Sequence, residues 1–524
     1  MSTAPPRRSI TGNLAAGTLT RYLLLGITIA IGFWMMPFSV GHLGKSDYGL
    51  WMLVVSMTAY FQLLDLGYGN GLVRQISDAD ARGDERSINQ VASTFIVVYG
   101  AIGLLALAGT AALAVWVVPR FPNLTPDQVA TAQWVTLVLG VRVAVGFPMT
   151  VFGAVTSARQ YFALNTSIAI AVTLATAVTT YVVLEAGYGL RTLVTATTAV
   201  NLLAYVAYAR AARVAYPGLR VLPSLFSGRH LREVTSYSLY VFLISLAAQL
   251  GYNLDNLVVG GFLGTSAVAV YSVASRLADY QRQLSNQFNG LLFPVVVGLG
   301  ARDDRDRLRT TLLHGTRLSF GLVLGVTVCL VGFASPLVYY WMGPTFDEAL
   351  PALFALAVAG VALVALGPLG NILLGTGRHR LVAFTALAEA IVNVALSLLL
   401  VRHWGLAGVA LGTAIPAVAS NVFVLMPVAC RSLGVPLLRF VREAALPGLL
   451  SAIPASAAVV LLRVFAPPAS LPAVVAQGAI VGLVYAIGFV TVGLTTADRK
   501  QYFSYVRRMI DGSRARLAAA QGRG

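Results

Sequence analysis

The sequence predicts an all-α integral membrane protein of about fourteen transmembrane helices, built as two parallel six-helix lobes plus two C-terminal helices. Three observations lead there. The 524-residue chain is 57% hydrophobic and 11% charged, with a mean hydropathy of +0.77, whereas a soluble surface needs roughly 25% charged residues. Apolar runs of about 20 residues, the length that crosses a bilayer, recur along the whole chain. The arginines and lysines between them fall mostly in alternate connections, as the positive-inside rule requires.

In chain order, residues 1–17 begin "MSTAPPRRSI" and form a cytoplasmic N-terminal segment. The apolar run from Thr18 lacks the short core and small-residue cleavage site of a signal peptide, so it reads as a retained first helix. The fourteen windows are 18–42, 47–73, 91–118, 129–156, 162–185, 190–209, 235–262, 266–299, 311–342, 346–376, 381–401, 405–430, 443–463 and 472–496. They group into a first lobe (18–213), a cytoplasmic linker (214–234), a second lobe (235–432), the last two helices (433–496) and a basic cytoplasmic tail (497–524). The tail "DRKQYFSYVRRMIDGSRARL" sets Tyr502, Val506, Met509 and Ile510 near one side of a basic helix. Such a helix suits the anionic lipids of the inner leaflet.

With a cytoplasmic N-terminus, 27 of the 37 arginines and lysines fall in inside segments. Five lie in outside loops (Lys45, Arg120, Arg191, Arg402, Arg463), and five lie within helices (Arg21, Arg142, Arg276, Arg282, Arg317). Both termini are therefore expected in the cytoplasm.

The two lobes repeat each other. "LGKSDYGLWMLVVSMTAY" from Leu43 matches "LGTSAVAVYSVASRLADY" from Leu263 at an offset of 220, pairing Gly44 with Gly264 and Tyr60 with Tyr280. "SARQY" and "TGRHR" align Arg159 with Arg378 at 219, and "GLRTLVTAT" and "GLAGVALGT" align Gly189 with Gly405 at 216. Six helices per repeat make the two halves enter the membrane in the same direction.

Several function classes are excluded. The formal charge of +17 belongs to arginines set between apolar runs, and no nucleic-acid recognition module accompanies it. Cys329 and Cys430 sit in apolar segments and read as small core residues. His42, His230, His314, His379 and His403 are scattered singly and form no metal-binding pattern. No G-x-x-x-x-G-K-[ST] phosphate loop occurs, so no cofactor is expected beyond a coupling ion, H+ or Na+.

The informative residues are the polar ones at membrane depth. In "YSVASRLADYQRQLSNQFNG", Tyr271–Gly290, the side chains of Arg276, Asp279, Arg282, Asn286 and Asn289 share about half of a helical wheel, opposite Leu277, Leu284 and Phe288. A charge at mid-bilayer costs from about 2.5 to more than 10 kcal/mol, so this face must look into the bundle or into water. The bland reading is that Arg276 and Arg282 pair with Asp279, but one carboxylate cannot neutralise both. Arg142 stands alone in "TLVLGVRVAVGFP", and Arg21 opens the first helix. Asp65 and Asp255 are the acidic counterparts in the second and seventh helices, either as coupling carboxylates or in structural ion pairs. Arg74 and Arg317 read as interfacial snorkellers. The surplus of intramembrane arginine implies an anionic ligand, because guanidinium grips phosphate in two-pronged geometry.

The stretch "LGKSDYGLWMLVVSMTAYFQLLDLGYGNGLVRQIS", with Tyr48-Gly49-Leu50-Trp51 and Leu64-Asp65-Leu66-Gly67, resembles the second-helix region of bacterial polysaccharide flippases. These O-antigen and exopolysaccharide transporters belong to the multidrug/oligosaccharidyl-lipid/polysaccharide (MOP) exporter superfamily. The fourteen-helix plan extends the likeness over essentially the whole chain. The resemblance implies a V-shaped, MATE-like pair of lobes around a cationic cavity in the bacterial inner membrane. Its implied function is to move undecaprenyl-pyrophosphate-linked oligosaccharide from the cytoplasmic to the periplasmic leaflet, in company with polysaccharide assembly proteins. Three alternatives stay open: a lipid II flippase, a cation-coupled multidrug exporter with an acid-dominated cavity, and a membrane polymerase or ligase, which would want a large periplasmic loop.

Overall fold

The computed structural model describes the backbone of residues 10–494 and of Arg499. The basic tail expected from 497 onward therefore lies almost wholly outside the described residues, as does most of the expected N-terminal segment. Among the described residues every regular element is helical.

Helix α1 (Ile10–Ala59) takes in the first two windows, broken only at Gly44. A 3-10 turn over Tyr60–Asp65 follows and ends at Leu66 and Gly67, both left-handed. Then come α2 (Tyr68–Ala81), α3 (Glu85–Ala112), α4 (Pro126–Ala158), α5 (Phe162–Glu185) and α6 (Leu190–Ala215). Helix α4 starts on a reciprocal cap between Thr125 and Gln128. After the linker stand α7 (Gly228–Leu263) and α8 (Thr265–Gly300). The remainder is α9 (Arg305–Gly332), α10 (Ala334–Met342), α11 (Leu350–Ala365), α12 (Gly367–Gly375), α13 (His379–Ala419), α14 (Met426–Ser432), α15 (Leu437–Phe440), α16 (Leu446–Phe465) and α17 (Leu471–Gly488). Ten segments of the described residues are long and apolar enough to cross a membrane; His379–Ser432 contains two of the sequence windows, and Tyr22–Asp65 overlaps two.

Gly44 and Gly264, paired by the repeat, adopt the same backbone state: φ 77, ψ 164 and φ 88, ψ 173. This region is open to glycine alone, since a Cβ would clash with its own backbone. Each lets a helix reverse within one residue. The two hairpins so formed meet where Ser46 Oγ lies 3.1 Å from Thr265 Oγ1 and receives the Gln128 amide at 2.6 Å. Gly49 permits this approach, because a Cβ there would fall 1.8 Å from the Thr265 carbonyl oxygen.

By contacts the chain forms two compact units: the residues up to Arg276 with His379–Pro416, and Leu277–Arg378 with the residues from Ala417 onward. The first has one core around Leu72, Phe95, Tyr99, Phe147 and Val151, and another around Leu50, Val54, Val135 and Val194. The second has a core around Phe333, Val459, Val481 and Tyr485. Lipid is as apolar as these side chains, so close packing rather than exclusion of water holds them together.

The linker is bound to α3 by its backbone. Asn89 accepts from Arg220 N and donates to the Gly218 carbonyl; Ser93 accepts from Leu222 N, and Thr94 from Ser227 N. Each such bond contributes about 1 kcal/mol. Nearby, the Arg159 guanidinium grips Asp80 at 2.6 Å and lies over the Tyr216 ring. A hydrogen bond from Arg229 holds the Glu233 carboxyl below its ordinary value. Arg74 is exposed, 3.9 Å from Asp78. Arg317, expected at an interface, is instead buried, and its Nε donates to the Glu443 carbonyl at 2.6 Å. It fastens the approach to α16 onto α9.

Alanine at Gly44 or at Gly264 is expected to cost about 1–3 kcal/mol, because each places a Cβ in the glycine-only region. Gly41→Ala is the control, since nothing lies within 4 Å of a Cβ there. Thermal melting of the purified variants checks this: equal midpoints for all three would contradict the role given to the two junctions.

Candidate functional site

Arg142 sits at the middle of α4, sixteen residues from either end. Neither lipid nor a neighbouring carboxylate accommodates it: it is exposed and forms no ion pair among the described residues. It faces a cavity of about 680 Å³ within the first unit, well inside the ~300–1,000 Å³ range of ligand sites. Three faces build the cavity. From α1 and its 3-10 extension come Val55, Thr58, Ala59, Gln62 and Asp65, spaced by three or four residues as one side of a helix. From α4 come Leu139, Arg142, Val143, Gly146, Phe147 and Thr150, and from α6 come Tyr205 and Tyr208.

The Tyr205 hydroxyl interacts with the Arg142 guanidinium and points toward its carbonyl oxygen at 3.5 Å. Gly146 makes room for it, since a Cβ there would lie 2.7 Å from that hydroxyl. Asp65 accepts the Tyr99 hydroxyl at 2.5 Å and the Gly69 amide at 3.5 Å, and forms no ion pair among the described residues. The cavity thus presents one free guanidinium, one tyrosine-bound carboxylate and a set of hydroxyl and amide groups. That suits an oxygen-rich anion.

Asp255, only 6% exposed, accepts from Tyr271 at 2.5 Å and from Thr413 at 2.9 Å. Thr413 in turn accepts from Asn393. Tyr60 also feels the Asp255 charge, and its buried hydroxyl has no hydrogen-bond partner. Both carboxylates are therefore held by tyrosine hydroxyls.

The wet face expected on α8 is wet only in part. Arg276 is exposed and has no ion pair among the described residues. Arg282 is paired with Asp279, at side-chain exposures of 22% and 35%. Asn286 is exposed. Asn289 differs from expectation: it is 7% exposed, and its amide donates to the Val364 carbonyl at 2.9 Å while its carbonyl oxygen accepts from Ser319. The reason lies at the break between α11 and α12. Pro368 has no N–H, so the Val364 carbonyl lacks its helical donor, and Asn289 and Ser319 supply the replacement. On the opposite side Leu277 is buried and Leu284 is exposed. Arg21 lies in α1, its side chain outside the described set.

The structure thus joins Arg142 and Asp65 in one cavity. The 220 offset carries Gln62 of that cavity to Arg282 and Ala59 to Asp279, so the paired α8 residues stand at repeat positions of cavity-lining ones. Sequence reasoning missed Gln62, Tyr205 and Tyr208. Their signal was the three-and-four spacing with Asp65 on one helix and an isolated pair of tyrosines, three residues apart, on the other.

A family model described as "Polysaccharide biosynthesis protein" matches residues 42–351, more than half of the chain. The uncharacterized membrane protein EpsK of Bacillus subtilis (strain 168) is 26% identical over 411 residues, covering 78% of this chain and 80% of that protein. The probable low-salt glycan biosynthesis flippase Agl15 of Haloferax volcanii is 21% identical over 196 residues, 37% of this chain and 42% of its own. Among solved structures, the lipid II flippase MurJ in its inward closed conformation matches with a TM-score of 0.67 at 13% identity, over 90% of this chain and 98% of that one. An inward-facing MATE family multidrug resistance transporter of the MOP superfamily matches at 0.61 and 16% identity, over 78% and 94%. The chain is a multi-pass membrane protein that belongs to the polysaccharide biosynthesis protein family and carries the fold shared by the MOP superfamily's flippases and transporters.

Proposed function

We propose that this protein is a transporter, not an enzyme, and that it carries undecaprenyl-pyrophosphate-linked oligosaccharide from the cytoplasmic to the periplasmic leaflet for surface or exopolysaccharide assembly. The observation that carries the reading is the free guanidinium of Arg142 at mid-membrane, facing a polar cavity in a member of a polysaccharide biosynthesis family. A pyrophosphate satisfies that charge through paired hydrogen bonds, whereas a cationic drug would be repelled by it. The second half also supplies an arginine within a helix, Arg282, which is paired with Asp279. Fourteen crossings, repeat-related lobes at 18–213 and 235–432, and cytoplasmic termini in the inner membrane belong to the same reading, supported by the arginine and lysine distribution. Alternating access moves the bound headgroup between leaflets as the lobes rock.

The membrane potential favours this direction. With the interior negative, outward movement of a doubly negative pyrophosphate gains about 4–5 kcal/mol per 100 mV. A coupling ion, H+ or Na+, resets the carrier. Asp255 is its site in this reading, because a buried carboxylate that accepts from the Tyr271 and Thr413 hydroxyls is placed to exchange one proton or one dehydrated cation. Asp65 is the second candidate, beside Arg142.

Arg142→Ala is expected to reduce export by at least about 30-fold, the effect of losing roughly 2 kcal/mol from a desolvated charge pair, with the protein still in the membrane. Arg142→Lys should recover part of it, since lysine brings the charge without the fork. Arg276→Ala and Arg282→Ala should weaken export in the same sense. Accumulation of lipid-linked oligosaccharide, normalised to protein level, is the measurement. Full export by all three alanine variants would sink the assignment.

Coupling is read separately, by flipping in proteoliposomes with and without a proton or sodium gradient. Asp255→Asn is expected to flip at the gradient-free rate under both conditions. If Asp255→Asn and Asp65→Asn both keep the parent's response to the gradient, neither residue couples transport.

A further inference from the structure

The cationic cavity has a counterpart of opposite character. Within the second unit a cavity of about 330 Å³ is lined from α9, from α11 and its junction with α12, and from the end of α13 with the turn after it. Four of its lining residues are Val358, Val361, Ala362 and Leu366. At the 219 offset set by "SARQY" and "TGRHR", these positions correspond one for one to Leu139, Arg142, Val143 and Phe147, all lining the first cavity. Tyr205, moved by the 216 offset, falls at 421, one residue before Val422 of the second lining. The α4 wall of the first cavity and the α11 wall of the second are therefore repeat-related, and Val361 stands where Arg142 does, while α1 completes the first cavity and α9 the second.

The second cavity is also dry. Its one polar lining residue is Thr327, whose hydroxyl donates to the Val323 carbonyl and accepts from Gln281, each at 2.6 Å. The carbonyl freed at the helix break, Val364, is already taken by Asn289 and Ser319. No second polar side chain lines the cavity to hold water, which needs two to four polar partners to stay. Left empty, such a lining forfeits its dispersion contacts, and an apolar chain would restore them.

We propose that this cavity takes a segment of the polyisoprenoid chain of the lipid-linked substrate, as the apolar member of a pair whose polar member takes the pyrophosphate. The proposal rests on the flippase reading above. The two pockets share one repeat-related wall, and the difference of charge on it, arginine against valine, suits them to the two ends of an amphiphile.

The test uses the full-length protein in nanodiscs and three photoreactive probes: a polyprenyl pyrophosphate with a diazirine in the chain, the same lipid with the diazirine beside the pyrophosphate, and a phospholipid with a diazirine in an acyl chain. Crosslinked residues are mapped by peptide mass spectrometry. The chain probe is expected to label the segment around Val358–Leu366, and the phospholipid probe to label it about tenfold less at equal concentration. Val361→Phe, which fills the cavity, should remove the chain label about tenfold and leave headgroup labelling near Arg142 intact. Val422→Phe, from another wall, is the second variant in case the first does not fold, with thermal melting as the check on both. Equal labelling by the phospholipid probe would show a pocket for bulk lipid and overturn the inference, as would chain labelling unchanged by both fillers. Headgroup labelling near Arg142 without chain labelling here overturns the inference alone. Absence of headgroup labelling near Arg142 overturns the flippase reading instead.

Discussion

A charge held at the middle of a bilayer must be met by water, by a counter-charge or by a ligand. Among the described residues Arg142 has no counter-charge, only a tyrosine hydroxyl, and much of the first unit is arranged around that fact. The helix faces that converge on it are polar at three-and-four spacing, and Gly146 is kept small so that Tyr205 can approach. The one carboxylate among the lining residues, Asp65, is engaged by Tyr99. A carboxylate left free beside the guanidinium would pair with it and close the site to an anion. Holding Asp65 on a tyrosine keeps the arginine available.

The glycine hairpins answer a different constraint. A short connection must bring two helices back at once, and only glycine enters the backbone state that does this in one residue. Because Gly44 and Gly264 share that state at repeat-related positions, the duplication is visible in backbone angles as well as in letters. Gly405 also breaks a long helix, at φ 53, ψ −129, yet its repeat partner Gly189 is extended at φ −86. The junctions that touch each other at Ser46 and Thr265 thus share one backbone state, and the Gly189 and Gly405 pair does not.

How far the sequence could be read follows from the same physics. Membrane helices, the glycine repeat and the lone Arg142 were legible because each violates or satisfies a rule that lipid enforces strictly. The face of α8 was legible as polar, but the wheel says nothing about which polar groups the protein itself satisfies. Asn289 was misplaced for that reason: its partner is a carbonyl released by Pro368, seventy-nine residues along the chain. Leu284, opposite the polar face, is exposed, because an apolar side chain in a membrane protein is as content facing lipid as facing a neighbour. Arg317 looked like a snorkeller because helix ends invite that reading, and only the packing of the approach to α16 against α9 supplies the carbonyl it binds. The tyrosines around Asp65 and Asp255 carry no sequence signature, because a hydroxyl donor can come from any helix that passes.

The two halves also treat their arginines differently, and transport needs such a difference. On the proposed function the substrate must bind firmly on one side and leave on the other, so a ligand held equally in all states would not move. Arg142 meets an anion with its guanidinium free. Arg282, at the repeat position of Gln62, comes with Asp279 already bound to it. An anion reaching Arg282 must displace that carboxylate or share the cation with it, which weakens the hold by the energy of the existing pair. A free cation that captures and a paired cation that yields give unequal affinities from one duplicated scaffold, with the pairing of a single carboxylate as the variable.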